Sequence, residues 1–277
     1  MGWRSIGSYA ARGSSGPVRA WQRARRDAWH LGLKARSRLS RGGLFVDYGC
    51  VRLLYSDDGD LQEIYYHMNC RRWHDAERAR LSRYLEPGDA AIDVGANMGF
   101  VAAILASIVG HEGRVFCFEP AKRPFKKLQK MVAANELDQV LSFNLGCGSE
   151  ASSAVLHSVS ASSGNSSIVN ESDKGRLSER IEIVSLDSIA VLRERRIKLI
   201  KIDTEGYEPE VLAGGRELIQ DHRPVIYSEL GGGYLDSTQR AIEILRELDY
   251  AVDHVLDRDW QKVGRGADFA FLPRDSD

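Results

Sequence analysis

The sequence predicts a doubly wound α/β domain: a mostly parallel seven-stranded sheet with helices on both faces. Three observations carry the prediction. Short apolar runs alternate with helical periodicity over residues 89–146. A glycine-containing turn, Asp93-Val94-Gly95-Ala96-Asn97-Met98-Gly99, joins the first of these strands directly to its helix. Four more strand-like runs follow the long middle segment, with helices between them. Together these give a Rossmann-like order of elements.

The elements can be justified in turn. Residues 1–42 form a basic arm, interrupted by Gly13-Ser14-Ser15-Gly16-Pro17. Beyond that break Val18, Trp21, Ala24, Ala28 and Ala35 fall near helical spacing, with Arg19, Arg23, Arg26, His30 and Lys34 on another face. Residues 43–88 read as an N-terminal extension. In it, Leu44 to Tyr55 and Leu61 to Met68 are strands joined at Asp57-Asp58-Gly59, and Trp73 to Leu85 is a helix stopped by Pro87-Gly88. Residues 89–277 form the main domain. Its first strand, Ala90–Val94, is apolar enough to be buried on both faces. Then come a helix over Met98–Val109, a strand over Arg114–Phe118, a helix over Ala121–Ala134 and a strand over Val140–Leu145. Residues 147–180 are rich in Ser and Gly and read as a long loop. The remaining strands are Leu199–Ile202, Val225–Glu229, Tyr250–Val255 and Ala267–Leu272, with helices at Glu208–Gln220 and Ser237–Leu248.

Composition narrows the function. A hydrophobic fraction of 43% and a charged fraction of 28% are those of an ordinary globular chain. The net charge of −1 conceals an asymmetry: residues 1–41 hold ten Lys/Arg and one acid, a net of +9, which leaves −10 for the rest. An acidic body argues against nucleic acid as the main partner. The arm is either solvated or a peripheral contact to an anionic membrane, and its Arg- and Ser-rich composition also fits an organelle transit peptide. The expected location is the cytoplasm. Four cysteines without CxxC spacing suit reduced thiols. Seven scattered histidines give no HxxxH or HExxH pattern, so no histidine metal site is expected.

Three constellations carry chemistry. In the turn 93–99, glycines let a ligand approach the backbone, and the helix beyond aims free N–H groups at it. The Gly-x-x-x-Gly spacing departs from the GxGxxG pyrophosphate cradle. It suits a ligand with a carboxylate and an amino group, for which Asp93 supplies the countercharge. Glu119 ends the second strand, where an acid can accept hydrogen bonds from both ribose hydroxyls of a nucleoside. Asp203 ends a central strand, and Glu205 and Glu208 follow within one turn, where Glu208 also suits dipole capping.

The segments AIDVGANMGF (91–100), FCFEP (116–120), SLDSI (185–189), LIKIDTEGYEPEVLAGG (199–215) and PVIYSEL (224–230) resemble the FkbM family of methyltransferases. The resemblance runs from about residue 85 to about 272. It implies the class I methyltransferase fold, S-adenosylmethionine as cofactor, and O-methylation of a hydroxyl on a sugar, glycolipid or other natural product. It further implies that Asp93, Gly95, Ala96, Asn97, Gly99 and Glu119 line the cofactor, and that Asp203 lies beside the reacting methyl. The basic arm and the Ser-rich segment fall outside the family pattern.

An alcohol is a weak nucleophile at neutral pH, so a carboxylate within hydrogen-bond reach helps as general base. Asp203 is the first candidate, with Glu205 and Glu229 behind it. No metal is expected, although Asp187, Asp203 and Glu229 offer oxygen ligands for a divalent ion. Gly231-Gly232-Gly233 reads as a lip of the acceptor pocket. Two other functions compete: a non-catalytic scaffold on the same fold, and a nicotinamide-dependent oxidoreductase, which the missing GxG pair disfavours.

Overall fold

The structure is a computed structural model that describes residues 44–48, 50–55, 73–158, 166–167, 177–231, 234–253 and 267–274. The arm of residues 1–42, the Asp57-Asp58-Gly59 turn and the expected strand at 61–68 lie outside the described residues.

Strands β1 (Leu44–Asp47) and β2 (Arg52–Tyr55) pair with each other, Leu44 opposite Tyr55 and Asp47 opposite Arg52. The stretch expected as one strand is therefore a hairpin. Its chain reverses where the Tyr48 N–H donates to the Val51 carbonyl at 3.1 Å, and an Arg52–Asp47 ion pair of 3.2 Å holds the strand ends together. Helix α1 spans residues 73–81, shorter than predicted because residues 82–84 turn.

The central sheet uses β3 (Ala90–Val94), β4 (Arg114–Phe118), β5 (Val140–Phe143), β10 (Ile197–Ile202), β11 (Val225–Leu230), β12 (Tyr250–Val252) and β13 (Ala267–Pro273), in the order β12-β13-β11-β10-β3-β4-β5. Strands β5, β4, β3, β10 and β11 pair in parallel, and β13 runs antiparallel between β11 and β12. Every residue of β3 is buried, as its mostly apolar run required, Asp93 included.

The two faces bury different sets. On one, Ala91, Val115, Leu199 and Tyr227 meet helix α2 (Phe100–Val109) and helix α3 (Lys122–Ala134). Helix α2 is apolar almost all round because it lies between the sheet and a second cover that includes Val51, Leu53, Leu81 and Leu85. On the other face, Ile92, Val94, Ile200, Ile202 and Ile226 meet helices α4 (Glu208–Ala213), α5 (Arg216–His222) and α6 (Leu235–Glu247). The predicted helix at 208–220 is thus two. They break at Gly214-Gly215, where a side chain on Gly214 would stand 1.8 Å from the Gly148 carbonyl.

The Ser-rich segment is not simply a loop. It contributes to a second sheet of β6 (Gly146–Cys147), β7 (Ser152–Ser158), β8 (Ser166–Ser167) and β9 (Leu177–Val184), ordered β6-β9-β7-β8. Leu156 on β7 packs with Ile181 and Ile183 on β9, a small core separate from the main one. Residues 159–165 and 168–176 lie outside the described residues. Among the described residues no helix is long and apolar enough to cross a membrane.

Candidate active site

The carboxyl ends of β3, β4, β10 and β11 gather the expected site residues at one edge of the sheet. The turn after β3 is fixed by backbone bonds: Gly95 and Ala96 N–H groups donate to the Phe118 carbonyl at 2.9 and 3.0 Å, and Asp203 N–H donates to the Val94 carbonyl at 3.1 Å. Gly95 has φ +80, and a Cβ there would lie 2.0 Å from the Asp203 carbonyl oxygen. Only glycine lets the turn press so closely on the end of β10. Gly99 caps α2 with φ 92 and no side-chain cap, and α2 carries no acid in its first turn. The uncapped N–H groups and positive dipole end there suit a carboxylate.

Glu119 is 7% exposed. Its carboxylate accepts the Asn97 N–H and the Ala121 N–H, each at 2.8 Å. It therefore braces the 95–99 turn from the end of β4. Burial pushes its pKa up to about 7 against the pull of those two bonds.

Asp93 is fully buried, and among the described residues neither carboxylate oxygen has a hydrogen-bond partner beyond the Lys201 ion pair; the buried Asn97 Oδ1 lacks one too. Asn97 adopts the left-handed region, φ 51. These acceptors, next to a capless helix end, fit a ligand that brings an ammonium, ribose hydroxyls and a carboxylate. S-adenosylmethionine brings all three.

The residue that sequence reasoning missed is Lys201. It sits in register with Asp93 on β3 and Tyr227 on β11. Its side chain is 8% exposed, with Nζ 3.4 Å from Asp93 Oδ1 and 3.2 Å from Asp203 Oδ2. The contact to Asp93 is an ion pair without hydrogen-bond geometry, whereas Asp203 accepts a hydrogen bond. A lysine two residues before Asp203 in an otherwise apolar inward row was the available signal.

Glu208 is also more than a dipole cap. Buried at 4% exposure, its Oε1 accepts from Thr204 N–H, Thr204 Oγ1 and Gly206 N–H at 3.0–3.1 Å, and Oε2 accepts from Ser237 Oγ at 3.3 Å. This clamp closes the 203–208 turn and holds Glu205 in the left-handed region, φ 54. Glu205 is pushed up to about 7, chiefly by desolvation and then by Asp203. Glu229, opposite Asp268 across β11 and β13, is pushed up to about 9 by desolvation, then by Asp203, Asp268 and Glu205.

The alternative metal set is not assembled. Asp187 lies elsewhere, accepting the Glu217 and Leu218 N–H groups at 3.1 and 2.8 Å at the start of α5. The free N–H donors of the first turn of α5 draw this carboxylate in from about thirty residues upstream. Among the described residues no group of three His, Cys, Asp or Glu is placed to hold a metal ion. Gly231 donates to Thr238 Oγ1 at 2.9 Å, and Gly232 and Gly233 lie outside the described residues.

Similar solved structures include the methyltransferase FkbM from Methylobacillus flagellatus KT, at 17% identity and a TM-score of 0.46, covering 90% of this chain and 59% of that one. A SAM-dependent methyltransferase from Aquifex aeolicus shows 15% identity and a TM-score of 0.45 over 77% of this chain and 98% of that one. Aeropyrum pernix fibrillarin, in complex with S-adenosyl-L-methionine, shows 13% identity and a TM-score of 0.43 over 72% and 74%. These likenesses concern the fold alone. No curated protein matches the sequence. The family model described as the methyltransferase FkbM domain matches residues 93–252, more than half of the chain and the whole span from Asp93 to the end of β12. The chain belongs to the FkbM methyltransferase family, with S-adenosylmethionine as its cofactor.

Proposed function

We propose that the chain O-methylates a hydroxyl of a sugar, glycolipid or other natural product, with the acceptor held at the carboxyl ends of β10 and β11. The observation that carries the reading is the contact between Gly95 and Asp203, in which a Cβ would lie 2.0 Å from the Asp203 carbonyl oxygen. That approach sets the acids of the 203–208 turn directly beside the cofactor turn.

In this reading Asp93, Gly95, Ala96, Asn97, Gly99 and Glu119 hold the cofactor. Asp93 faces its ammonium, the free end of α2 its carboxylate, and Glu119 its ribose. The bound cofactor supplies an electrophilic methyl group on a sulfonium. The chain's own part is to place a hydroxyl and take its proton. Asp203, hydrogen-bonded to Lys201, orients the acceptor. Glu205, pushed up to about 7, has the basicity that best matches proton transfer at neutral pH. Glu229, pushed up to about 9, keeps its own proton at that pH and can donate to an acceptor oxygen. The hydroxyl oxygen becomes an ether oxygen, and its proton leaves on Glu205. Four acids around the acceptor position, Asp268 included, favour a neutral polyol over an anionic acceptor.

Isothermal titration of the full chain with S-adenosylhomocysteine tests the site. Micromolar binding is expected for the wild type and a loss of it for Asp93→Asn and Glu119→Gln, with melting curves showing that both variants remain folded. A folded wild type that binds no S-adenosylhomocysteine would leave a non-catalytic scaffold as the better account.

A further inference from the structure

Helix α1 lies outside the span that the family model matches, which begins at Asp93. Its first two residues are nonetheless set against the start of α2. The Trp73 ring stacks on the Phe100 ring at 4.5 Å, and the His74 ring meets Phe100 edge-on at 6.3 Å. Phe100 directly follows Gly99 and opens α2. Long side chains on a helix lean toward its N-terminus, so rings packed on the first residue of α2 stand over the 95–99 turn. By strand alternation Asp93 shares a face of the sheet with Ala91, and its register partner Cys117 lies in the same core as Ala91, Phe100 and Leu81. Helices α1 and α2 and the Asp93 carboxylate therefore meet on one side of β3.

His74 is a poor choice for packing alone. It is 5% exposed, and neither ring nitrogen makes a hydrogen bond among the described residues. Nδ1 has the Asp75 Oδ1 atom 3.5 Å away. Burial, which outweighs Asp75, holds the imidazole below its ordinary pKa, so the ring is neutral at pH 7. The ring proton belongs on Nδ1, beside the carboxylate, and Nε2 then carries a lone pair. A buried acceptor without a donor is destabilising, and a leucine would cover Phe100 without that penalty.

We infer that His74 is a cofactor-binding residue: its Nε2 accepts a hydrogen bond from the ammonium at the amino-acid end of S-adenosylmethionine, beside Asp93 and Asn97. An ammonium has three N–H donors. Asp93, Asn97 Oδ1 and His74 Nε2 are buried acceptors that lack a hydrogen bond among the described residues, one for each donor. The free end of α2 is left for the cofactor's carboxylate. An imidazolium would repel the ammonium, so the neutral ring is the form that serves. The inference rests on the cofactor placement proposed above, and it extends the site onto a helix that the family match does not reach.

The test is isothermal titration of the full chain, as wild type, His74→Phe and His74→Gln, with a pair of ligands. S-adenosylhomocysteine carries the amino-acid end, whereas 5′-methylthioadenosine keeps the nucleoside and the thioether and lacks that end. A hydrogen bond to a charged group contributes roughly tenfold or more in affinity, so His74→Phe should bind S-adenosylhomocysteine at least about tenfold more weakly. Its affinity for 5′-methylthioadenosine should be unchanged, which also shows that the variant is folded. His74→Gln, which keeps an acceptor near the place of Nε2, should recover most of the loss. A His74→Phe protein that binds S-adenosylhomocysteine as the wild type does would overturn the inference and leave the cofactor site standing. Equal losses for both ligands would overturn it as well, because His74 would then act through the fold, and so would a His74→Gln protein as weak as His74→Phe. A wild type that binds neither ligand would remove the proposed cofactor placement and this inference with it.

Discussion

Replacing Lys201 by methionine tests whether a shared buried cation holds the carboxyl ends of β3 and β10 together. Methionine keeps most of the side-chain volume and removes only the ammonium. Asp93, at 0% exposure, would then be a carboxylate with no cation and no hydrogen-bond donor among the described residues. Asp203, whose side chain is 35% exposed, can turn to water and loses little. Breaking a buried pair from one side typically costs about 3–5 kcal/mol. In a chain of this size that corresponds to a fall in Tm of roughly 10 °C. The pH dependence has a definite sign. Desolvation already pushes Asp93 upward, and Lys201 is the main force pulling it back. Without Lys201 the folded-state pKa rises further while the unfolded value stays that of an ordinary carboxylate. The native variant then binds a proton that the unfolded chain has lost, so its stability falls as pH rises between the two values. The deficit should be larger at pH 8 than at pH 5. Asp93→Asn/Lys201→Met, which removes both charges, should recover much of the loss. Urea unfolding of the four proteins of this cycle at both pH values measures the coupling. Additive single effects, or a deficit below about 1 kcal/mol at pH 8, would refute the reasoning.

Other expectations follow from the same edge of the sheet. Gly95→Ala adds a methyl group 2.0 Å from the Asp203 carbonyl at a residue with φ +80, so the cofactor turn must move off β10. S-adenosylhomocysteine affinity should drop at least about tenfold, since every 1.4 kcal/mol of misfit is a factor of ten; unchanged affinity in calorimetry would remove Gly95 from the site. In a methyl-transfer assay, kcat/KM should rise with pH as Glu205 loses its proton near 7 and fall as Glu229 loses its own near 9. Glu205→Gln should abolish most activity, and Glu229→Gln should keep activity while flattening the alkaline limb; a Glu205→Gln enzyme with the wild-type profile would exclude that residue as base. Glu229 binds a proton in the native state that the unfolded chain releases above its ordinary value near 4.5, so wild-type stability declines from there to about 9. The Tm advantage of Glu229→Gln should accordingly grow between pH 5 and pH 8, and differential scanning calorimetry would show if it does not.

The central sheet was legible because its signal is local. A parallel strand covered on both faces is mostly apolar, and Ala90–Val94 and Leu199–Ile202 meet that demand apart from Asp93 and Lys201. The errors arose where distant residues decide. Strand β7 offers only Ala154 and Leu156 to the small core, and it becomes a strand because Leu177–Val184 pairs with it more than twenty residues later. The break between α4 and α5 comes from the Gly148 backbone lying against Gly214, a contact that no helical periodicity can announce. At the hairpin of β1 and β2, two apolar stretches read as one strand concealed a reversal fixed by one backbone hydrogen bond and one ion pair.

The same division holds in the site. Asp93, Glu119 and Asp203 could be found because each ends a strand that the sequence marks, and strand ends are where an open α/β sheet binds its ligands. Lys201 could not be assigned from its own strand. Alternation shows only that it shares a face with Leu199; its partner depends on β10 lying beside β3, in a register that pairs it with Asp93. That adjacency joins residues more than a hundred positions apart, and it turns two acids with separate expected roles into one electrostatic unit with a common cation. Loss of either carboxylate therefore changes the environment of the other. Variants of Asp93 and Asp203 should behave non-additively in S-adenosylhomocysteine affinity as well as in stability, because Lys201 couples the two carboxylates across β3 and β10.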